Sequence, residues 1–173
     1  MGKAELIPVV DARNRIIGVA SRKTCHSQPA LIHCTVHILI LNSKGKILLQ
    51  KRSRNKKIQP FKWDTSVGGH LRAGENYYQA ARRELDEELG IRGIRIRRIY
   101  DYLMRNEEES ESIRTYMGVY DGPFEINRHE IDQIKFWGYT EIRKQIGKGV
   151  FTPNFEDEFR MFLKWQKYRG RKK

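Results

Sequence analysis

A mixed β-sheet with helices on both sides is the architecture this 173-residue sequence predicts, and three observations predict it. Short runs rich in Val, Ile and Leu recur between turn signals from Leu6 to Tyr120. A helix-period segment interrupts them near the middle and ends at Leu89-Gly90. A second one closes the chain, where Phe155, Phe159, Phe162 and Leu163 form an apolar stripe.

The elements follow in order. Leu6–Asp11 and Ile16–Ser21 read as strands joined by the turn Asp11-Ala12-Arg13-Asn14. Leu31–Leu41 is a long apolar strand, Asn42-Ser43-Lys44-Gly45 a hairpin turn, and Lys46–Lys51 the returning strand. Ser53–Lys62 is a basic loop, and Trp63–Gly69 leads into the central helix. Gly74-Glu75 opens that helix, Ala81, Leu85, Leu89 and Tyr78 give it a buried face, and Gly90 ends it by taking the left-handed conformation. Ile94–Arg97 alternates as a half-buried strand that Arg98-Ile99-Tyr100 continues. Arg105–Ser112 is an acidic loop, Ile113–Tyr120 the next strand, and Ile134–Tyr139 carries Trp137 on another. Thr140-Glu141 begins a short helix. Thr152 caps the final helix, with Pro153 at its first position, where a missing N–H costs nothing.

The length fits one domain, 1–173, with enough chain to bury a core. That core spans about 30–142, the C-terminal helix about 153–168, and a basic, frayed tail 167–173. No run of 18 apolar residues is present to span a membrane, and Met1–Glu5 lacks the apolar stretch of a signal peptide. Cys25 and Cys34 suit a reducing compartment, so a cytoplasmic location is expected. The net charge of +13 reads either as a solvated basic surface or as attraction to polyanions such as diphosphates or RNA.

The chemistry concentrates in residues 69–91. Glu84, Glu87 and Glu88 stand at i, i+3 and i+4, within about a 100° arc of a helix. Such spacing costs a bare helix a few tenths of a kcal/mol per pair. A hard divalent cation removes that cost, and Mg²⁺ shares itself between carboxylates and substrate phosphates.

With Gly69, Glu75, Arg83, Leu85, Gly90 and Ile91, these glutamates meet all nine fixed positions of a pattern that resembles the Nudix box. The resemblance implies an α/β/α sandwich and Mg²⁺- or Mn²⁺-dependent cleavage of a diphosphate linkage. The substrate it implies is a nucleoside di- or triphosphate or another nucleoside-diphosphate-X compound. Carried over by residue, Glu84, Glu87 and Glu88 hold the metal with the Gly69 carbonyl. Glu84 or Glu88 deprotonates the attacking water, and Arg83 orients a box carboxylate, with Glu87 its i, i+4 partner. Lys51 and Arg52, ending the strand before the box, either meet phosphate or are simply solvated. The resemblance places substrate specificity outside the box, here in Ser53–Lys62, Arg105–Ser112 and the C-terminal helix, with Phe61, Trp63 and Tyr102 either stacking on a base or joining the core.

Residues 6–165 more broadly look like the isopentenyl-diphosphate isomerase-like branch of that superfamily. Val9-Val10-Asp11, Ile17-Gly18, Leu31-Ile32-His33, Asn42–Gly45, Lys51-Arg52-Ser53 and Trp63–His70 carry the likeness. His26, His33 and His70 fall where those isomerases place metal-binding histidines; the alternative is ordinary hydrogen-bonded imidazoles. Glu109-Ser110-Glu111 either matches their Glu pair or is a solvated loop. Their catalytic Cys position is Gly68 here, which has no side chain to donate a proton. The expectation is therefore hydrolase chemistry on an isomerase-like scaffold, in a monomer or homodimer acting on a small-molecule diphosphate. The alternatives are an isopentenyl-diphosphate isomerase and an RNA- or nucleotide-binding module. Carboxylates aimed at phosphate oppose the latter.

Overall fold

The computed structural model describes residues 5–171. Met1–Ala4, on which most of the leader reading rests, and Lys172-Lys173 of the tail lie outside them. The strands are β1 Leu6–Val10, β2 Ile16–Ser21, β3 Ile32–Leu41, β4 Ile47–Arg52, β5 Trp63–Asp64, β6 Val67–His70, β7 Ile96–Arg105, β8 Ser110–Val119 and β9 Ile131–Trp137. The helices are α1 Arg22–Cys25, α2 Tyr77–Leu89, α3 Tyr139–Gln145 and α4 Pro153–Gly170.

β3 organises the sheet. One of its edges carries β8 in parallel from Ile32 to Leu41. The other is shared in succession by β1 at Ile32-His33, β6 at Thr35–Ile38 and β4 at Leu41, all antiparallel. β7 extends the β8 side, and β5 and β9 flank β4. All ten β3 residues are buried, as a strand covered on both faces requires. Alternation sends Cys34, Val36, Ile38 and Ile40 to one core with Ala81, Leu85 and Leu89 of α2. Leu39 and Leu41 join a second core with Phe155, Phe159 and Phe162 of α4 and Ile142 of α3. Helices thus cover both faces of one mixed sheet.

The expected α/β/α sandwich is observed, with differences at particular elements. Tyr78 is exposed, and Ala80 takes its place on the buried face of α2. That helix begins at Tyr77 because Asn76 caps it. Its side chain accepts from the Gln79 N–H while the Gln79 side chain accepts from the Asn76 N–H, which satisfies two orphan donors. Arg105–Ser112 is not a loop throughout: β7 runs to Arg105 and β8 starts at Ser110, leaving only 106–109 as the turn. α4 continues past Lys167 to Gly170. No helix among the described residues is long and apolar enough to cross a membrane.

Candidate functional site

The box helix stands beside β6, and the contact between them needs a glycine. A Cβ on Gly69 would lie 2.1 Å from Glu84 Cδ, so the carboxylate rests directly against the Gly69 backbone. Arg83 ties the acids together. Its Nη1 donates to Glu84 (2.6 Å) and Glu87 (3.1 Å), and its Nε and Nη2 clamp both oxygens of Glu75 at 2.7 and 2.8 Å. Nη2 also donates to the His70 carbonyl at 2.9 Å, fixing the helix to β6. The expected Glu87 partnership is present, and Glu75 is the stronger one. Hydrogen bonding from Arg83 holds the Glu75 carboxyl below its usual range.

Glu88 is the most unusual of the acids. It is buried, with Gln50 Nε2 donating to Oε2 at 2.9 Å. Burial, and then the nearby Glu84 charge, push its pKa up to about 8. Burial also raises Glu84, against the Arg83 hydrogen bond. Glu87, the third acid, is more open, its side chain 44% exposed, and Arg72 reaches both of its oxygens at 3.1 Å. Burial and neighbouring carboxylate charge oppose ionisation of Glu84 and Glu88, a cost that a bound cation would remove. Oxygen donors and the Gly69 notch fit a hard divalent ion.

Lys51 and Arg52 end β4, where its pairing with β9 shifts register between them. Arg52 is engaged: Nη1 donates to Asp64 (3.0 Å) and Nε to the Ile58 carbonyl (3.2 Å). Of the aromatic candidates, Phe61 is half exposed, Trp63 packs edge-on against Trp137, and the Tyr102 hydroxyl turns inward to His37.

A second cluster lies on the opposite face of β6 from Glu84. His26, from the end of α1, His33 and His70 bring their rings within 5.2 Å of one another, and Glu109 and Glu111 close the group. Both ring nitrogens of buried His33 and Oε2 of Glu109 lack hydrogen-bond partners, although Glu109 Oε2 is 2.7 Å from His26 Nδ1. His26 Nε2 and His70 Nε2 approach to 3.1 Å. Burial holds the His70 pKa down to about 3, so its ring is neutral. The Glu111 carboxyl is held low in spite of its burial, by His33 and the other imidazoles, while Thr35 donates to it at 3.1 Å. The ligand atoms of His26, His33 and His70, and those of His33, Glu109 and Glu111, lie within 4.8 Å of one another, a donor set that suits a borderline metal such as zinc or manganese. The solvated-loop reading of Glu109 and Glu111 is thereby corrected: the strand begins at Ser110 and turns both acids inward.

Sequence reasoning missed one more group. His37 and Glu158 form a buried pair at 3.0 Å, and Thr115 Oγ1 donates to the other Glu158 oxygen at 2.9 Å. The available signal was Glu158 itself, an acid in the Phe155–Phe162 stripe of α4. A carboxylate on an apolar helix face requires a buried partner.

The comparisons agree with this geometry. The NUDIX domain family matches residues 31–155. An uncharacterized Nudix hydrolase of Yersinia pestis is 33% identical over 87% of this chain and 81% of its own length. A Deinococcus radiodurans crystal structure superposes with a TM-score of 0.79 at 22% identity, over 91% of this chain and 98% of that one. The Nudix domain of Shewanella oneidensis NrtR, crystallised with ADP ribose, does so at 0.60 and 16% identity, over 87% and 93%. With its box, its sandwich and these relatives, the chain belongs to the Nudix family of hydrolases, which act on pyrophosphate bonds.

Proposed function

We propose that Gly69 and the α2 acids form the hydrolytic centre for a nucleoside-diphosphate-X substrate, a nucleoside di- or triphosphate included. The carrying observation is Glu88, a carboxylate buried to a pKa of about 8 with Glu84 beside it. A cation beside such a group favours its ionised form at neutral pH. Glu84, Glu87, Glu88 and the Gly69 carbonyl would hold Mg²⁺ or Mn²⁺, which supplies charge neutralisation on phosphate and acidifies water. Arg83 fixes Glu84 and Glu87, and Glu84 or Glu88 takes the proton from the attacking water. ADP ribose in the Shewanella domain supports the substrate class.

His26, His33, His70, Glu109 and Glu111 would hold a second, softer ion. This cluster supports kinship with the isopentenyl-diphosphate isomerase-like branch, but Gly68 leaves that reaction without its acid. The protein acts as a monomer or homodimer, and its free buried Cys25 and Cys34 support a cytoplasmic setting.

A panel of nucleotides, nucleotide sugars and prenyl diphosphates, assayed for phosphate-containing products with Mg²⁺ or Mn²⁺, tests the proposal. Metal-dependent cleavage of a nucleoside diphosphate derivative is expected. Turnover that persists in excess chelator after dialysis overturns it.

A further inference from the structure

The open edges of the sheet are not alike. β7 pairs only with β8, and β9 only with β4. Both carry charge, Arg97, Arg98, Asp101 and Arg105 on β7 and Asp132 and Lys135 on β9. Charged side chains of this kind keep an edge strand from pairing with another chain. β2 ends the sheet beyond β1, and Ile16–Ser21 carries no charge at all. Ile16 and Ile17 are each 66% exposed and Val19 53%, and Leu6 of β1, opposite Ser21, is exposed as well.

The backbone of β2 is open to a partner too. The Arg22 N–H donates to the Glu5 carbonyl at 3.0 Å. From there the register with β1 runs Leu6↔Ser21, Ile7↔Ala20, Pro8↔Val19 and Val9↔Gly18. An antiparallel ladder bonds every second pair, so Ala20 and Gly18 turn their N–H and C=O groups to β1. Pro8, with no N–H to give, falls at a pair that needs none. Val19 therefore turns its N–H and C=O outward, and among the described residues no strand receives them. The arginines flanking the strand are neutralised within the chain, Arg15 by Asp11 at 2.6 Å and Arg22 by Glu5 at 3.5 Å. A second molecule can thus approach this edge in spite of a net charge of +13 on each.

We infer that β2 is the interface of a homodimer, pairing antiparallel with the β2 of a second copy about a two-fold axis at Gly18. This names the surface for the homodimeric state and rests on the fold, not on the hydrolytic chemistry of the box. In this register Val19 lies opposite the partner's Ile17, Ile16 opposite the partner's Ala20, and Gly18 opposite its own equivalent. Arg15 meets the partner's Ser21; centring the pair on Val19 instead would bring Arg15 toward the partner's Lys23. Directly opposed residues share a face of the sheet, so the exposed apolar side chains of the two edges cover one another. The contact is isologous, so it closes at two copies and consumes the uncharged edge of each. One strand pair is a small interface, and the dimer is accordingly concentration-dependent.

Gly18 supplies the test. A Cβ there meets nothing within 4 Å. Its backbone groups face β1, so in the dimer it forms a non-hydrogen-bonded pair with Cα atoms about 4.5 Å apart, a separation that a disulfide spans. Gly18→Cys should therefore give a covalent dimer on mild oxidation, read on a non-reducing gel. The wild type, whose Cys25 and Cys34 are buried, should not. In sedimentation velocity over a concentration series the wild type should pass from monomer to dimer. Val19→Lys should stay monomeric throughout with an unchanged circular dichroism spectrum, and Gly18→Cys keeps the test decisive if Val19→Lys does not fold. Wild type that remains monomeric at every concentration, leaving the edge to some other partner, overturns the inference. So does a dimer that Val19→Lys leaves intact, or one in which Gly18→Cys does not crosslink. None of these readouts involves metal or substrate, so failure of the hydrolytic reading would leave them unchanged.

Discussion

Glu88→Gln separates what the fold needs from what the chemistry needs. In the metal-free protein the Glu88 carboxyl has a pKa of about 8, against 4.5 for a glutamate in the unfolded chain. The folded pKa is the higher one, so the folded state holds the proton more tightly. The stabilisation is complete below the unfolded value and is lost as pH rises through the folded one. At about 1.4 kcal/mol per pH unit between those limits, ionisation of this group costs roughly 3 kcal/mol between pH 5 and pH 8. For a domain of this size that is roughly 6–12 °C in Tm. Glutamine keeps an oxygen to accept the Gln50 hydrogen bond and has nothing to ionise.

The assay is thermal unfolding in chelator at both pH values. Wild type and variant should melt within a few degrees of each other at about pH 5, and the variant should melt roughly 6–12 °C higher at about pH 8. Mg²⁺ should raise only the wild type. Turnover of the variant should fall by roughly 10²–10³-fold, as expected when a group serving developing charge is removed. Identical pH dependence in the two proteins would refute the burial argument. Near-wild-type turnover at saturating Mg²⁺ and substrate would refute the role of the carboxylate.

Gly69→Ala should lower turnover at least about tenfold with the fold retained, because the new Cβ displaces Glu84 from the backbone it rests against; circular dichroism alongside kinetics checks this, and unchanged kcat speaks against the notch. The purified protein should not exchange deuterium from heavy water into isopentenyl diphosphate, since Gly68 carries no acid; incorporation seen by mass spectrometry would restore the isomerase alternative. Mg²⁺ should tighten a non-hydrolysable nucleotide by the same factor that the nucleotide tightens Mg²⁺. Calorimetry in both orders tests this, and equal nucleotide affinity with and without metal rules out a bridging ion.

The parts of this molecule legible in the sequence are those where chemistry and local geometry coincide. Glu84, Glu87 and Glu88 share one helix face through a spacing visible in the chain, and Gly69 and Arg83 sit at fixed offsets from them. The Phe155–Phe162 stripe foretold the second core, and Thr152-Pro153 its start. Tyr78 misled because helix periodicity tells which residues share a face but not how wide the buried stripe is; small Ala80 lies under the sheet contact instead. Arg105–Ser112 misled because acidic composition favours a loop, whereas Glu109 and Glu111 are drawn inward by imidazoles from α1, β3 and β6. His37 and Glu158 are separated by 121 positions, and each alone violates the pattern of its element, an imidazole in a buried strand and an acid in an aromatic stripe. Two such violations are costly separately, because a lone buried charge is unpaired. Together they compensate each other, and neither shows which partner it has until the sheet and α4 are packed.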